Sequence, residues 1–219
     1  MPVVTISRQY GSGGSDIARL VATKLGWELI DNEFVDQVAA EAGLPREEVA
    51  QREERVPGLV ERLARALAVS SPEVLVAAPE VPDSMSREER IVRVTERVIH
   101  EAAQHGHIVI VGRGAQAYLA SRSNALHVYI VAPREVRIVA AMKRLGIDRK
   151  DAERKVDDTD EGRRRYVKTH YNRQWDYPAN YHLVINSAEF GYDGAAELIV
   201  CAAGVAGIDG AGIGGHRRA

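Results

Sequence analysis

A single cysteine, Cys201, in 219 residues excludes an intramolecular disulfide and a zinc cluster built mainly from thiolates, and makes a reducing compartment the simpler setting. A charge surplus is missing too. Twenty-nine Lys/Arg stand against 31 Asp/Glu, a net charge of −2, whereas a dedicated nucleic-acid binder needs a basic excess. No apolar run approaches the roughly 18 residues of a membrane span, and the opening MPVVTIS has neither a charged n-region nor a long apolar h-region. The expectation is a soluble cytoplasmic protein with no nucleic-acid or membrane partner. With 45% apolar residues the chain can still bury a real core, most naturally as one α/β domain with a smaller insertion.

Val3 to Ser7 is a short β-branched run that stops at a glycine cluster, after which Ile17, Ala18, Leu20, Val21 and Leu25 recur at helical spacing up to Gly26. This reads as strand, glycine turn, helix. Trp27 to Ile30 reads as a second strand ending at Asp31, and Glu33 to Ala42 as a helix closed by Gly43. The stretch from Pro45 to Arg97 is helical and heavily charged, without clear strands. HIVIVGRG, His107 to Gly114, is an apolar run of the buried parallel kind with a second glycine turn behind it. Leu126 to Ala132 gives another strand, Arg134 to Leu145 a helix, Tyr181 to Ser187 a last strand and Ala195 to Ala203 a last helix. Residues 143 to 173 carry eleven Lys/Arg against seven Asp/Glu, a local positive excess in a slightly acidic chain. Six glycines from Gly204 onward and two near-terminal arginines suggest a disordered tail over 204–219.

Strands alternating with helices imply a parallel sheet covered on both faces, with ligands at the carboxyl ends of the strands. Both glycine turns fall at such ends. The first, SRQYGSGGSD, can aim backbone N–H groups at a phosphate with the helix dipole behind them, although a tight βα turn needs glycine for steric reasons anyway. Two phosphate-loop readings compete. In a dinucleotide fold, Gly11-Ser12-Gly13 opens G-x-G-x-x-G and Asp31 holds the ribose hydroxyls, but Asp16 stands where the third glycine belongs. In a mononucleotide loop, G-x-x-x-x-G-K-[ST], the opening glycine is Arg8 and the lysine is Gly14.

The ordered series ISRQYGSGGSDIA, ELIDNEFV, HIVIVGRGA and DDTDEGRRRYVKTHYNRQWDYPANYHLVINS resembles the cytidylate-kinase-like family of P-loop proteins over nearly all of residues 1 to 200. The resemblance implies a P-loop fold, a five-stranded parallel sheet sandwiched by helices. It divides the chain into a core of 1–44, 98–142 and 180–203, a helical acceptor-binding insertion of 45–97 and an arginine-rich lid with hinge of 143–179. It implies an ATP- and magnesium-dependent kinase acting on a nucleoside monophosphate or related small acceptor. Cytidylate kinases proper carry Gly-Lys-Gly-Thr where this chain has Gly13-Gly14-Ser15-Asp16, and Asp-Gly-Arg-Asp where it has Val111-Gly112-Arg113-Gly114.

On that resemblance Gly11, Ser12, Gly13, Gly14, Ser15 and Asp16 cradle the nucleotide phosphates, with Ser15 and Asp16 also serving magnesium; Ser15 as a helix N-cap is the plainer reading. Arg8 at the mouth of the turn either supplies the missing cation or merely caps the strand end. Asp31, Asn32, Arg93 and Arg113 take the acceptor, Arg113 as a planar grip on its phosphate. Asp160-Glu161-Gly162-Arg163 matches the D-x-x-R spacing of cytidylate-kinase lids, which makes Arg163 the cation on the transferring group and Asp160 either its orienter or an acceptor contact; the plain alternative is a solvated helix with i, i+3 pairs. Arg137 is expected to stack on adenine, and Lys168 or Arg173 to add phosphate contacts. Two other functions remain open: a nucleotide-binding sensor that has lost transfer, motivated by the missing lysine and carboxylates, and an NAD(P)-binding oxidoreductase, resting on Gly11, Gly13 and Asp31.

Overall fold

The computed structural model describes residues 1–31 and 87–208; Asn32 and most of the proposed insertion lie outside them. Five parallel strands form the sheet in these residues, in the order β2-β3-β1-β4-β5: β1 Val3–Arg8, β2 Glu28–Ile30, β3 Ile108–Val111, β4 Ala125–Val131 and β5 Leu183–Asn186. The helices are α1 Gly14–Leu25, α2 Arg87–His105, α3 Ala115–Tyr118, α4 Arg134–Leu145, α5 Arg149–Tyr171 and α6 Ser187–Val205. Compact packing divides the chain into Met1–Leu29 with Gly106–Ala219 as one unit and Ile30–His105 as another. Everything that follows on the site concerns the first unit.

β1 lies at the centre, with Ile6 beside Val111 of β3 and Val128 of β4. Its neighbours on one side precede β4 and β5 on the other, so the strand order reverses at β1 and the crevice opens beyond its carboxyl end, where the first glycine turn begins. The amide of Gly112 donates to the Ile6 carbonyl at 3.1 Å, which brings the second glycine turn alongside the first.

The period of two in the strands sorts side chains between the two faces. Leu126, Val128 and Ile130 of β4 join Val4 and Ile6 in a core with Ile17, Ala18 and Val21 of α1 and Ala195, Ala196 and Ile199 of α6. The alanines at the α1–α6 contact keep side-chain volume small between the two helices, and each fully buried Ile or Val contributes roughly 1.5–3 kcal/mol. Tyr129 points to the opposite face, where it stacks on Tyr181 at 4.8 Å and meets Trp175 edge-on at 5.3 Å, beneath Val167 of α5. Trp175 and Tyr181 are thus packed against the sheet, while Tyr177 between them is exposed. Ile138 and Ala141 of α4 close against Ala152 and Val156 of α5, with Tyr10 of the glycine turn packed at the edge of that cluster.

Two boundaries differ from the sequence reading. Helix α6 starts at Ser187 rather than Ala195, because it is two helical pieces joined at Gly191, whose φ of 64° and ψ of −179° only glycine adopts readily. The expectation of a disordered tail from Gly204 fails for its first residues: the helix runs to Val205 and Ile208 is buried in the core, while 209–219 lie outside the described residues.

Thr5 Oγ1 and His127 Nδ1 form a buried 2.7 Å hydrogen bond inside the sheet, the backbone amide of His127 donates to His182 Nδ1 at 3.1 Å, and the two imidazoles stack at 5.0 Å. His127 is 2% exposed. Burial, with His182 and Arg173 adding to it, holds the His127 imidazole down at about 4 against an ordinary 6.5. The unfolded chain therefore binds a proton near pH 6.5 that the folded chain refuses until about pH 4. This contribution is whole above pH 6.5 and is lost progressively as the pH falls to about 4, by about 3 kcal/mol in all. Denaturant titrations across this window should show that acid limb, and His127→Asn, although less stable at pH 7, should show a shallower one.

Candidate active site

The first glycine turn connects β1 to α1 through two left-handed residues, Gly11 at φ 79° and Gly13 at φ 76°. Gly11 is needed twice over, since a Cβ there would sit 2.5 Å from the Arg137 carbonyl oxygen of α4. Gly13 caps α1, so Ser15 is not its N-cap; it is the second helical residue and borders a cleft with Gly14 and Asp16. The amides of Gly14, Ser15 and Asp16 belong to the first turn of α1, have no acceptor within the helix, and carry the positive end of its dipole.

Ser12 departs from expectation. Its side chain is buried and donates to the carbonyls of Gln9 (2.8 Å) and Ile130 (3.3 Å), its amide donates to Gln9 (3.3 Å), and its own carbonyl accepts from Ser187 Oγ (2.7 Å). It shapes the loop from within and leaves the cleft to its neighbours.

The cleft has a volume of about 770 Å³ and is walled by the glycine turn, α1, α4, α5 and Tyr192. Its lining carries Arg8, Lys143, Arg144, Lys155 and Arg163 against a single carboxylate, Asp16. A slightly acidic chain has gathered its positive charge around an open helix N-terminus, the arrangement that favours a polyanion. Sequence reasoning counted Lys143, Arg144 and Lys155 only as members of a charged block; their convergence needs the packing of α4 on α5. Tyr10 and Tyr192 were missed as well. Tyr192 reaches the rim because the Gly191 bend lays its ring on Gly13, and Lys155 Nζ lies 6.0 Å from the Tyr10 ring centroid.

Asp160 ties this wall together. Its side chain is 5% exposed and accepts from Arg137 Nη1 at 2.6 Å, from Arg163 Nη1 at 3.2 Å and from the Tyr10 amide at 2.8 Å. Arg163 Nη1 also donates to the Arg8 carbonyl at 2.7 Å. The D-x-x-R pair is therefore no solvated i, i+3 pair: α5 is bolted through Asp160 and Arg163 to residues 8–10 of the loop. Burial pushes the Arg163 guanidinium below its ordinary value, and the Asp160 carboxylate opposes that shift.

Arg137 requires a correction. Rather than lying over a base, its guanidinium is buried and bonds to Asp160, to the Ala132 carbonyl (3.0 Å, from Nε) and to the Tyr10 carbonyl (3.3 Å). Two carbonyls and a carboxylate converge behind the loop there, and a guanidinium fork satisfies all three at once. It is a strut and leaves no face open for stacking.

Arg113 holds a left-handed φ of 52° between Gly112 at 73° and Gly114 at 70°, and it does not line this cleft. Lys168 and Arg173 line a separate, smaller hollow with Arg164 and Asp176. Asp31 follows β2 directly and Arg93 is exposed on α2, both in the other unit. Among the described residues no three His, Cys, Asp or Glu side chains gather as a metal cage. Magnesium bound mainly through phosphate oxygens needs only one or two protein oxygens, and Ser15 with Asp16, whose carboxylate is 3.1 Å from Arg19 Nη1, offers them.

A parallel sheet reversing at β1, a glycine turn opening the first helix and a basic cleft above it define a P-loop protein of the kinase type. The chain belongs to the cytidylate kinase-like family, whose model matches residues 3–189. It is 28% identical over 198 residues to a cytidylate kinase of Archaeoglobus fulgidus, covering 90% of this chain and 92% of that one. A crystal structure of an uncharacterized protein from Eubacterium ventriosum superposes with a TM-score of 0.67 at 20% identity over 92% of this chain and 98% of that one. A shikimate kinase from Bacteroides thetaiotaomicron gives 0.50 at 12% identity, covering 92% and 97%. Family and fold make the chain a kinase-like phosphotransferase. They exclude the dinucleotide reading, whose usual strand order, 3-2-1-4-5-6, differs from the order found. No described helix is long and apolar enough to cross a membrane.

Proposed function

We propose that this protein transfers the γ-phosphoryl group of ATP to a nucleoside monophosphate or a closely related small phosphorylated acceptor, in the cytosol. The observation that carries the reading is the cleft itself, five cations around the unpaired first turn of α1 in a kinase-like chain. The amides of residues 14–16, at the open first turn of α1, receive the triphosphate. Ser15 and Asp16 would hold magnesium, which when bound offsets phosphate charge. Arg163 sits at the lip of the loop, positioned by Asp160, to take up charge on the transferring group. The Arg8 side chain reaches from the loop to the Gly112 turn. Arg113, held in a conformation that costs a non-glycine residue roughly 1–3 kcal/mol, serves the acceptor phosphate; the family resemblance alone offers Asp31, Asn32 and Arg93 as further acceptor residues. Residues 45–97 form the acceptor-binding insertion and 143–179 the lid, which excludes water during transfer.

Phosphoryl transfer needs no covalent chemistry from the protein, so positioning and charge carry the rate. The direct test incubates the protein with ATP and Mg²⁺ against CMP, dCMP, UMP, AMP, GMP and dTMP and separates the products by chromatography. One acceptor should yield its diphosphate in step with ADP. A sensor is the competing reading, favoured by Gly14 in the lysine position, and it predicts ATP binding with none of the acceptors phosphorylated.

A further inference from the structure

Gly14 has no conformational reason to be glycine. Gly11 and Gly13 need positive φ, but Gly14 is not among the positive-φ residues and opens the regular turn of α1. What excludes a side chain at 14 is Arg8. A Cβ on Gly14 would overlap the Arg8 Cβ and lie 2.8 Å from its Cγ, so the collision is with the rooted stem of the side chain and no rotation of its tip relieves it. The converse holds as well: any side chain at 14 would require position 8 to be bare. In the mononucleotide loop G-x-x-x-x-G-K these are the first glycine and the lysine, and here their occupants are Arg8 and Gly14. The two departures from the motif are one steric exchange.

The exchange also relocates the charge. The Arg8 stem crosses Gly14, and its guanidinium reaches the second turn, where a Cβ on Gly112 would overlap Nη1 and lie 3.0 Å from Cζ. Gly112 is thus glycine both for its φ of 73° and to leave room for this head group. Arg8 lines the same cleft as Gly13 and Ser15.

We infer that Arg8 and Gly14 are a reciprocal replacement of the loop lysine: the cation that grips the terminal phosphates of a nucleoside triphosphate is delivered from the end of β1 as a guanidinium, instead of from the start of α1 as an ammonium. The inference rests on the phosphate-site reading above, but not on transfer. A planar fork between two glycine turns contacts two phosphate oxygens at once, where a lysine offers a point charge.

The test is calorimetric binding of the non-transferring analogue AMPPNP, with Mg²⁺, to wild type, Arg8→Met, Gly14→Lys and the double variant Arg8→Gly/Gly14→Lys, each checked by thermal unfolding without ligand. Arg8→Met keeps the stem and removes the charge; it should still unfold cooperatively and bind at least about tenfold more weakly. Gly14→Lys alone should melt lower and bind weakly, because both stems compete for one space. The double variant, with the ordinary arrangement restored, should bind within about threefold of wild type, as the lysine then supplies the same charge. Wild-type affinity in Arg8→Met, a double variant no better than Arg8→Met, or a wild-type protein that binds no AMPPNP overturns the inference. A protein that behaves as expected here yet phosphorylates no acceptor refutes the kinase reading and leaves this one standing.

Discussion

Replacing Arg163 by alanine should lower turnover by about a thousandfold or more, the range seen when a guanidinium on the transferring phosphoryl group is removed, while ATP affinity changes only a few-fold. The asymmetry follows from the geometry. Arg163 donates to the Arg8 carbonyl at the other end of the loop from the α1 amides, and on the proposed reading those amides hold the ground-state phosphates while its charge counts most during transfer. Arg163→Lys should recover little, because a compact ammonium on a shorter reach lacks the planar fork that spans Asp160, the Arg8 carbonyl and a phosphoryl oxygen. Separate measurement of kcat and of the ATP dissociation constant decides the matter. A variant within a few-fold of wild type in kcat would remove Arg163 from catalysis, and one that fails only in ATP binding would make it a simple phosphate contact.

Asp160→Ala should be the most damaging single change to stability, about 3–5 kcal/mol, as expected when one partner of a buried ion pair is lost. Three donors depend on this carboxylate: Arg137 and Arg163 from two helices, and the Tyr10 amide from the loop. Without it a guanidinium 9% exposed is left beside two carbonyls with its charge uncompensated. In a chain of this size the loss corresponds to a fall in Tm of roughly 10 °C. Thermal and denaturant unfolding should agree on it, and a drop below about 1 kcal/mol would mean that solvent reaches Arg137 and the bolt is ornamental. Exposed pairs such as Arg134–Asp157, at 2.6 Å but solvated on both sides, should contribute less than about 1 kcal/mol each.

The contrast between these two carboxylate pairings marks what was and was not legible in the sequence. Periodicity and glycine placement located the strand–turn–helix at residues 3–25, the apolar strand before Gly112 and the helix at 134–145, because those signals are local. The D-x-x-R spacing singled out Asp160 and Arg163 for the same reason. The reversal of Arg137 from base platform to buried strut could not be read, since its partners lie 5, 23 and 127 residues away and meet only when α4 and α5 close on the loop. Tyr192 escaped because two glycines in SAEFGYDG weaken the helical pattern there, and the bend that aims its ring is a single glycine torsion. The missing lysine was visible as a substitution at 14 and another at 8; that a side chain at 14 collides with the Arg8 stem appears only in the Cβ positions.

The most direct measurement follows the fate of the label in a single turnover: protein in excess over [γ-³²P]ATP, with Mg²⁺ and the acceptor that gives product in the panel, quenched on the millisecond-to-second scale. The account predicts that the label moves from ATP into the acceptor diphosphate faster than into inorganic phosphate, and that Arg163→Ala slows this step without changing the amount of ATP bound. Label that stays in ATP, or that appears only as inorganic phosphate, would contradict it.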